Sequence, residues 1–267
     1  MANIRVLLVD GFNLIRRVYE ANHREDTEIN DCIESCVRSL TRALNTHRPS
    51  HAVVVLDSHE MTWRHMLYDD YKFGRKPTPE VLISNLDMFR RAFETAGVRS
   101  LEVAGYEADD VIATLAAGVA NIRGDAIILS TDKGFLSLLD KHIEVYHHFE
   151  QHFLTSTDVR VKYALRHNQL IDYWSLCGDP GNNIKGVPGV GKKTALLLLE
   201  KFDSLDEVLA QARGLAQDQA ADSGLAVYQK SLSKVLQFED EAVKCRLLLT
   251  PKLDVELGIN LKIFRLA

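Results

Sequence analysis

The 267-residue sequence contains no apolar run long enough to span a bilayer. No basic segment with an apolar core stands ahead of the first apolar run, Ile4–Val9, so no secretory leader is expected and the reading is a cytoplasmic protein with no membrane contact. Cysteine is scarce: Cys32, Cys36, Cys177 and Cys245 are the only four. Cys32 and Cys36 lie one helical turn apart, but no further Cys or His cluster completes a zinc site, which leaves buried thiols as the expectation. Positive charge is not in excess either. The formal net charge is −5, and a nucleic-acid binder is usually basic, so the global charge speaks mildly against one. Internal repeats and low-complexity tracts are missing too. What remains is ordinary for a soluble domain or pair of domains, 46% hydrophobic and 26% charged.

Within this ordinary composition the acidic residues are unusually placed. Gly105–Asp110 reads Gly-Tyr-Glu-Ala-Asp-Asp and sets Glu107, Asp109 and Asp110 side by side ahead of an apolar helical pattern, Val111 to Ala116. One or two such acids are common in a first helical turn. Three repel one another, and a divalent cation offsets that repulsion more effectively than helix N–H groups do. Three apolar runs also end in aspartate: Ile4–Val9 before Asp10, Ala52–Leu56 before Asp57, and Ala126–Leu129 shortly before Asp132. Such runs suit buried strands of a parallel sheet, with Ser100–Ala104 as a further strand ahead of the acidic cluster. Ligands of an open α/β sheet bind beyond the carboxyl ends of its strands. Four acidic strand ends on one edge therefore point to a hard-cation site.

The remaining elements follow from local pattern. Helices are expected at Leu14–Ala21, Cys32–Leu44, Val81–Ala96 (ended by Gly97) and Lys133–Asp140, with a polar loop at His23–Asp31. Ile143–Tyr146 reads as a short strand, and Gln151–Lys162 as chain leaving the sheet. From about Arg166 the pattern is helical, with glycines at Gly178–Gly191, Gly214 and Gly224, and Leu257–Ala267 is a candidate last strand. Between Ser58 and Pro79, basic and aromatic residues alternate (Trp63, Arg64, His65, Tyr68, Tyr71, Lys72, Arg75, Lys76), as suits contacts to phosphates and bases, although an exposed loop would also look this way.

Gly186–Lys192 fits G-x-x-x-x-G-K, the opening of an NTPase phosphate loop. The next residue is Lys193 rather than Ser or Thr, and the preceding segment is not a strand, so that reading fails. A helix–hairpin–helix fits better. Gly-Val-Pro-Gly-Val-Gly turns tightly into the helix that follows, where N–H groups meet a phosphate oxygen. Lys185, Lys192, Lys193 and Lys201 supply positive charge that holds a nucleic-acid backbone without reading sequence.

Together these stretches resemble the 5′ nuclease, or flap endonuclease, family. The resemblance is carried by Leu8-Val9-Asp10-Gly11, Val55-Leu56-Asp57, Tyr71-Lys72-x-x-Arg75, Gly105-x-Glu107-Ala108-Asp109-Asp110, Ser130-Thr131-Asp132-Lys133 and Gly178–Thr194. It implies an α/β, PIN-like 5′ nuclease fold: a mostly parallel sheet flanked by helices over residues 1–160, with a helical arch near 58–86. A helical DNA-binding region would follow over 161–267, with its helix–hairpin–helix near 170–201. It also implies a magnesium enzyme cutting DNA at 5′ flaps or junctions, acting as a monomer. Asp10, Asp57, Glu107, Asp109, Asp110, Asp132 and Asp179 would hold up to two Mg2+, and Lys72 and Arg75 would steady the scissile phosphate. The carbonyls of Leu176, Cys177, Lys185, Val187 and Val190 would take one K+, and Gly189, Val190, Gly191, Lys192, Lys193 and Thr194 would touch DNA. Gly134 and Asn182 stand where the family usually has second-site acids. That depletion keeps a junction-binding protein with weak or lost catalysis as an alternative. An RNase of a related acidic-cluster fold is a weaker one.

Overall fold

The computed structural model describes residues 4–22, 29–217 and 225–267. Most of the expected loop at His23–Asp31, and Gly224, lie outside the described residues. The chain divides into two compact units. The first holds residues 1–63, 76–155 and 251–267; the second holds 64–75 and 156–250.

The first unit is built on one six-stranded sheet in the order β3-β2-β1-β4-β5-β6. β1 (Arg5–Asp10) lies in its middle, parallel to β2 (His51–Val55) on one side and β4 (Asp125–Leu129) on the other. Val6, Leu7, Leu8 and Val9 are all fully buried. Continuous burial, rather than alternation, is what a parallel strand covered on both faces requires. β3 (Arg99–Leu101) extends the sheet beyond β2, and β5 (Ile143–His147) extends it beyond β4, both parallel. Because the order runs outward in both directions from β1, the switch of direction falls between β1 and β4, where ligands of such sheets bind.

α1 (Gly11–Asn22), α2 (Ile29–His47), two short helices α3 (Trp63–Leu67) and α4 (Glu80–Ser84), then α5 (Leu86–Thr95) and α6 (Ala108–Asn121), connect these strands. Residues 58–86, expected to arch, are helical only in α3, in α4 and at the start of α5. Leu14, Ile15, Leu40, Phe89 and Phe93 pack with Leu7, Val9 and Val54 in the core. The helix expected over Val81–Ala96 is two, because the Asn85 amide donates to the Val81 carbonyl at 2.8 Å and interrupts the ladder. Gly97 closes α5 at φ +84: its N–H reaches the Glu94 carbonyl while Val98 N–H reaches that of Phe93, a Schellman ending.

Three expectations need correction here. Gln151–Lys162 does not wholly leave the sheet, since β6 (His152–Leu154) folds back antiparallel on β5 through a turn closed by Gln151 N–H on the His147 carbonyl. Lys133–Leu138 is a 3-10 helix, started by Asp132 accepting from Gly134 N–H. The tail forms no strand. Asn260 caps a 3-10 turn at Leu261–Phe264, and a bridge, Arg265 to His51, pairs the tail with the sheet of the first unit. Residues 251–267 group with the first unit.

The second unit is helical: α7 (Ser156–Tyr163), α8 (Leu170–Cys177), α9 (Lys192–Phe202), α10 (Leu205–Gln217), α11 (Gln229–Gln237) and α12 (Glu239–Leu249). Residues 64–75 belong to it because Tyr71 packs in a cluster with Ile184, Cys245 and Leu248. Arg64 Nε donates to the Leu248 carbonyl at 2.7 Å, and Lys72 N–H donates to that of Asn182 at 3.0 Å. All four cysteines are free thiols; Cys177 is half-buried and the others are buried.

Candidate metal centre and nucleic-acid hairpin

Asp10 ends β1 and is buried, and the turn after it is cramped. A Cβ on Gly11 would stand 2.5 Å from Leu56 Cδ2 and 2.8 Å from the Val55 carbonyl oxygen, so glycine lets β1 enter α1 directly beside β2. Asn13 N–H then donates to Asp10 Oδ1 at 3.1 Å. The other oxygen accepts from Ser130 Oγ at 2.8 Å, and Ser130 Oγ in turn accepts from Asp132 N–H at 3.0 Å. The end of β1 is thus wired to the loop after β4. A second tie runs beside it: the Asn13 amide donates to Thr131 Oγ1 at 2.9 Å and accepts from Thr131 N–H at 3.1 Å.

Burial pushes the Asp10 carboxyl up to about 7, and the negative charges of Asp57 and, more weakly, Asp132 add to it against the bonds from Ser130 and Asn13. Asp57, Asp132 and Asp10 therefore share one electrostatic neighbourhood. Asp57 follows β2 and accepts from Ala108 N–H at 2.8 Å, so a carboxylate from one strand end caps the helix that carries the acidic cluster. Glu107, the N-cap residue itself, makes no side-chain cap bond and is buried; it does not serve as an ordinary cap. Asp109 is half-buried in the first turn of α6. Asp110 is fully buried and held at both oxygens, by Lys252 N–H at 2.8 Å and by Trp63 Nε1 at 3.0 Å. Its place at the base of the cluster is fixed by Trp63, which the sequence placed among candidate phosphate and base contacts, and by Lys252, which the sequence did not single out.

Among the described residues no three His, Cys, Asp or Glu side chains form a ready-made ion cage. The donor set nonetheless fits magnesium. It is made of hard oxygens only, and Mg2+ binds through one or two carboxylates while keeping several waters. A carboxyl pushed towards neutrality by burial, and further by two neighbouring carboxylates, is also what a cation relieves.

In the second unit, Asp179 is buried and accepts from the Asn182 amide at 2.8 Å. Gly134 N–H likewise donates to Asp132 Oδ1, at 2.7 Å, in the first unit. Where second-site acids were expected, the chain places hydrogen-bond donors to the acids that remain. Lys72 lies half-buried at φ +57, its ammonium 5.2 Å from the Tyr71 ring centre, and Arg75 is exposed.

α8 and α9 flank the glycine hairpin. Gly186 takes φ +69, and a Cβ there would lie 2.3 Å from Gly178 N and 2.7 Å from the Leu176 carbonyl oxygen. The Leu176 carbonyl accepts from Val187 N–H at 2.9 Å, and that of Val187 accepts from Val190 N–H at 3.0 Å. Of the five carbonyls assigned to potassium, these two are already acceptors, each with a second lone pair to offer. Gly191 is the N-cap of α9 with no side-chain cap bond, and Lys192 and Lys193 are exposed in the first turn with Thr194 half-buried behind them.

Comparison with known proteins agrees with this arrangement. Residues 5–164 match the family described as 5'-3' exonuclease, N-terminal resolvase-like domain, and residues 165–267 match 5'-3' exonuclease, C-terminal SAM fold. The chain is 37% identical over 264 residues to flap endonuclease Xni of Psychromonas ingrahamii, covering 97% of this chain and 96% of that protein. It is 44% identical over 215 residues to flap endonuclease Xni of Shewanella denitrificans, covering 80% and 84%. Among solved structures, T5 5'-exonuclease with bound zinc superposes with TM-score 0.73 at 20% identity, covering 92% of this chain and 89% of that one. The flap endonuclease of bacteriophage T5 in a complex with DNA and metal ions gives TM-score 0.71 at 19% identity, covering 92% and 88%. Sheet, helical region and sequence all lead to one conclusion: the chain belongs to the 5′-3′ exonuclease family, and within it is similar to the flap endonucleases named Xni.

Proposed function

We propose that this protein is a magnesium-dependent, structure-selective 5′ nuclease that hydrolyses phosphodiester bonds of DNA at 5′ flaps or junctions. The observation that carries the reading is the acidic edge at the ends of β1, β2 and β4, with Asp10 pushed up to about 7 by burial and by Asp57 and Asp132. Its curated relatives are named flap endonucleases over nearly the same length. Asp10, Asp57, Glu107, Asp109, Asp110 and Asp132 form the set that would hold divalent cations. A bound pair of such ions supplies an activated water and a stabilised leaving oxygen for in-line attack. The chain's own part is to fix those carboxylates. Ser130 and Asn13 orient Asp10, Asp57 fastens the start of α6, and Trp63 and Lys252 hold Asp110 beneath it. Lys72 and Arg75 would bind the phosphate being cut.

In the second unit, the hairpin and Gly189–Thr194 would grip the DNA backbone, with one potassium on the carbonyls of Leu176, Cys177, Lys185, Val187 and Val190. A single chain carries all of these elements, which suits a monomer, and a DNA flap substrate suits the cytoplasm. With Gly134 and Asn182 in place of two acids, a second cation would bind weakly. The Asn182 bond to Asp179 and the Gly134 bond to Asp132 favour the alternative of a junction-binding protein with little catalysis only if magnesium fails to support cleavage. A magnesium titration of cleavage on a 5′-flap duplex decides. Incision near the flap base that rises with magnesium supports the nuclease; tight flap binding with no incision at any magnesium concentration leaves the binding protein.

A further inference from the structure

Gly189, at the tip of the hairpin, is exposed and takes φ +78. Its missing side chain leaves room for another residue. A Cβ at 189 would meet Lys234 Nζ at 2.1 Å, and Lys234 Cδ and Cε at 3.2 Å each. The stem and ammonium of Lys234 therefore lie directly over the glycine backbone. Lys234 comes from α11, some 45 residues further along the chain. That helix is anchored by Leu232 and Val235, both fully buried. Tyr228, just ahead of it, packs edge-on against Phe202 at the end of α9, with ring centres 5.5 Å apart. Lys234 is thus delivered to the hairpin by packing and not by a flexible tether. Among the described residues it forms no ion pair with a carboxylate. Lys234 is half-buried as a residue, and its ammonium stands against the hairpin with no carboxylate partner among the described residues, so its charge lacks compensation. An anion beside the hairpin supplies that compensation.

We propose that Lys234 is a phosphate-binding residue of the hairpin, contributing the cation that pairs with a phosphodiester oxygen of duplex DNA. This rests on reading the hairpin as a DNA-backbone site. Gly189 then has two tasks, the turn and the space for Lys234. Backbone contacts of this kind add affinity without sequence preference and add to the salt dependence.

The test uses the full chain and a fluorescein-labelled 5′-flap duplex in EDTA, with anisotropy followed across a potassium chloride series. Variants are Lys234→Met, which keeps the apolar stem, Lys234→Arg, which keeps the charge, and the double variant Lys192→Ala with Lys193→Ala. Lys234→Met should weaken binding several-fold for unrelated duplex sequences alike and flatten the slope of log affinity against log salt by about one. Lys234→Arg should restore both. If the double variant loses affinity and slope while Lys234→Met matches the unmodified protein, the Lys234 proposal is wrong and the hairpin reading stands. If the double variant itself binds with unchanged slope, the hairpin reading fails and takes the proposal with it. A lowered melting temperature for Lys234→Met with an unchanged salt slope would show a packing role only, and would also overturn the proposal.

Discussion

At the scale of single residues, the candidate site is a set of carboxylates whose orientations are set by uncharged neighbours. Asp109→Ala removes an acid from the first turn of α6 and should abolish cleavage while flap binding is kept; full activity in that variant would refute the acidic set. Asn13→Ala is subtler. It breaks the tie to Thr131, and outer partners of metal-holding groups typically matter about 10–100-fold. Cleavage should fall within that range and the magnesium needed for half-maximal rate should rise, which a rate-against-magnesium curve reads directly. The placing of the acids at strand ends was legible in the sequence, because several apolar runs each ending at or near Asp mark one edge of an α/β sheet. The tie between Asn13 and Thr131 was not, because the two residues are 118 positions apart and meet only through the adjacency of β1 and β4. The roles of Trp63 and Lys252 at Asp110 stayed hidden because they lie 47 and 142 positions away from it along the chain.

Among the elements, the hairpin is the one with least freedom. Gly186→Ala sets a methyl group against backbone atoms of Gly178 and Leu176 at a φ of +69, so both strain and collision oppose it. A loss of about 1–3 kcal/mol or more in urea unfolding is expected. The same variant should erase any preference of DNA binding for potassium over sodium at equal ionic strength. That preference is expected of the unmodified protein, because a carbonyl ring selects by size and screening does not. Equal affinity in the two salts for the unmodified protein would exclude such a ring. The hairpin was readable from its glycine spacing alone. The division of α4 from α5 was not, since Val81–Ala96 keeps one apolar stripe and only the Asn85 amide decides the break. β6 was missed because three residues carry too short a pattern to distinguish from loop.

For the molecule as a whole, acid stability should depend on His148, which is buried with neither ring nitrogen hydrogen-bonded to a described residue. Burial, then the nearby His147 and Arg17, depress its pKa from 6.5 to about 4. The unfolded chain therefore takes up the proton first as pH falls. Stability contributed by the neutral ring is intact above the unfolded value and is lost between about 6.5 and 4, by at most about 3 kcal/mol. Urea unfolding at pH 7 and pH 5 should show that loss, and His148→Leu should remove most of it; an unchanged pH dependence in the variant would assign the effect elsewhere. The fold class was legible because strands, helices and acids recur in a regular order. The grouping of residues 64–75 with the second unit and 251–267 with the first was not, since nothing in their pattern announces which core they join. That partition has a consequence for how such a protein can be cut and reused. The backbone passes from one unit to the other at 63/64, 75/76, 155/156 and 250/251. A fragment ending at residue 250 would lose the Lys252 N–H that holds Asp110, and a fragment beginning at 156 would lose Tyr71 from the cluster of Ile184, Cys245 and Leu248. Neither half is a detachable cassette. A crossover near residue 164 would give two products that each lack a segment of their own unit, residues 251–267 for the first and 64–75 for the second.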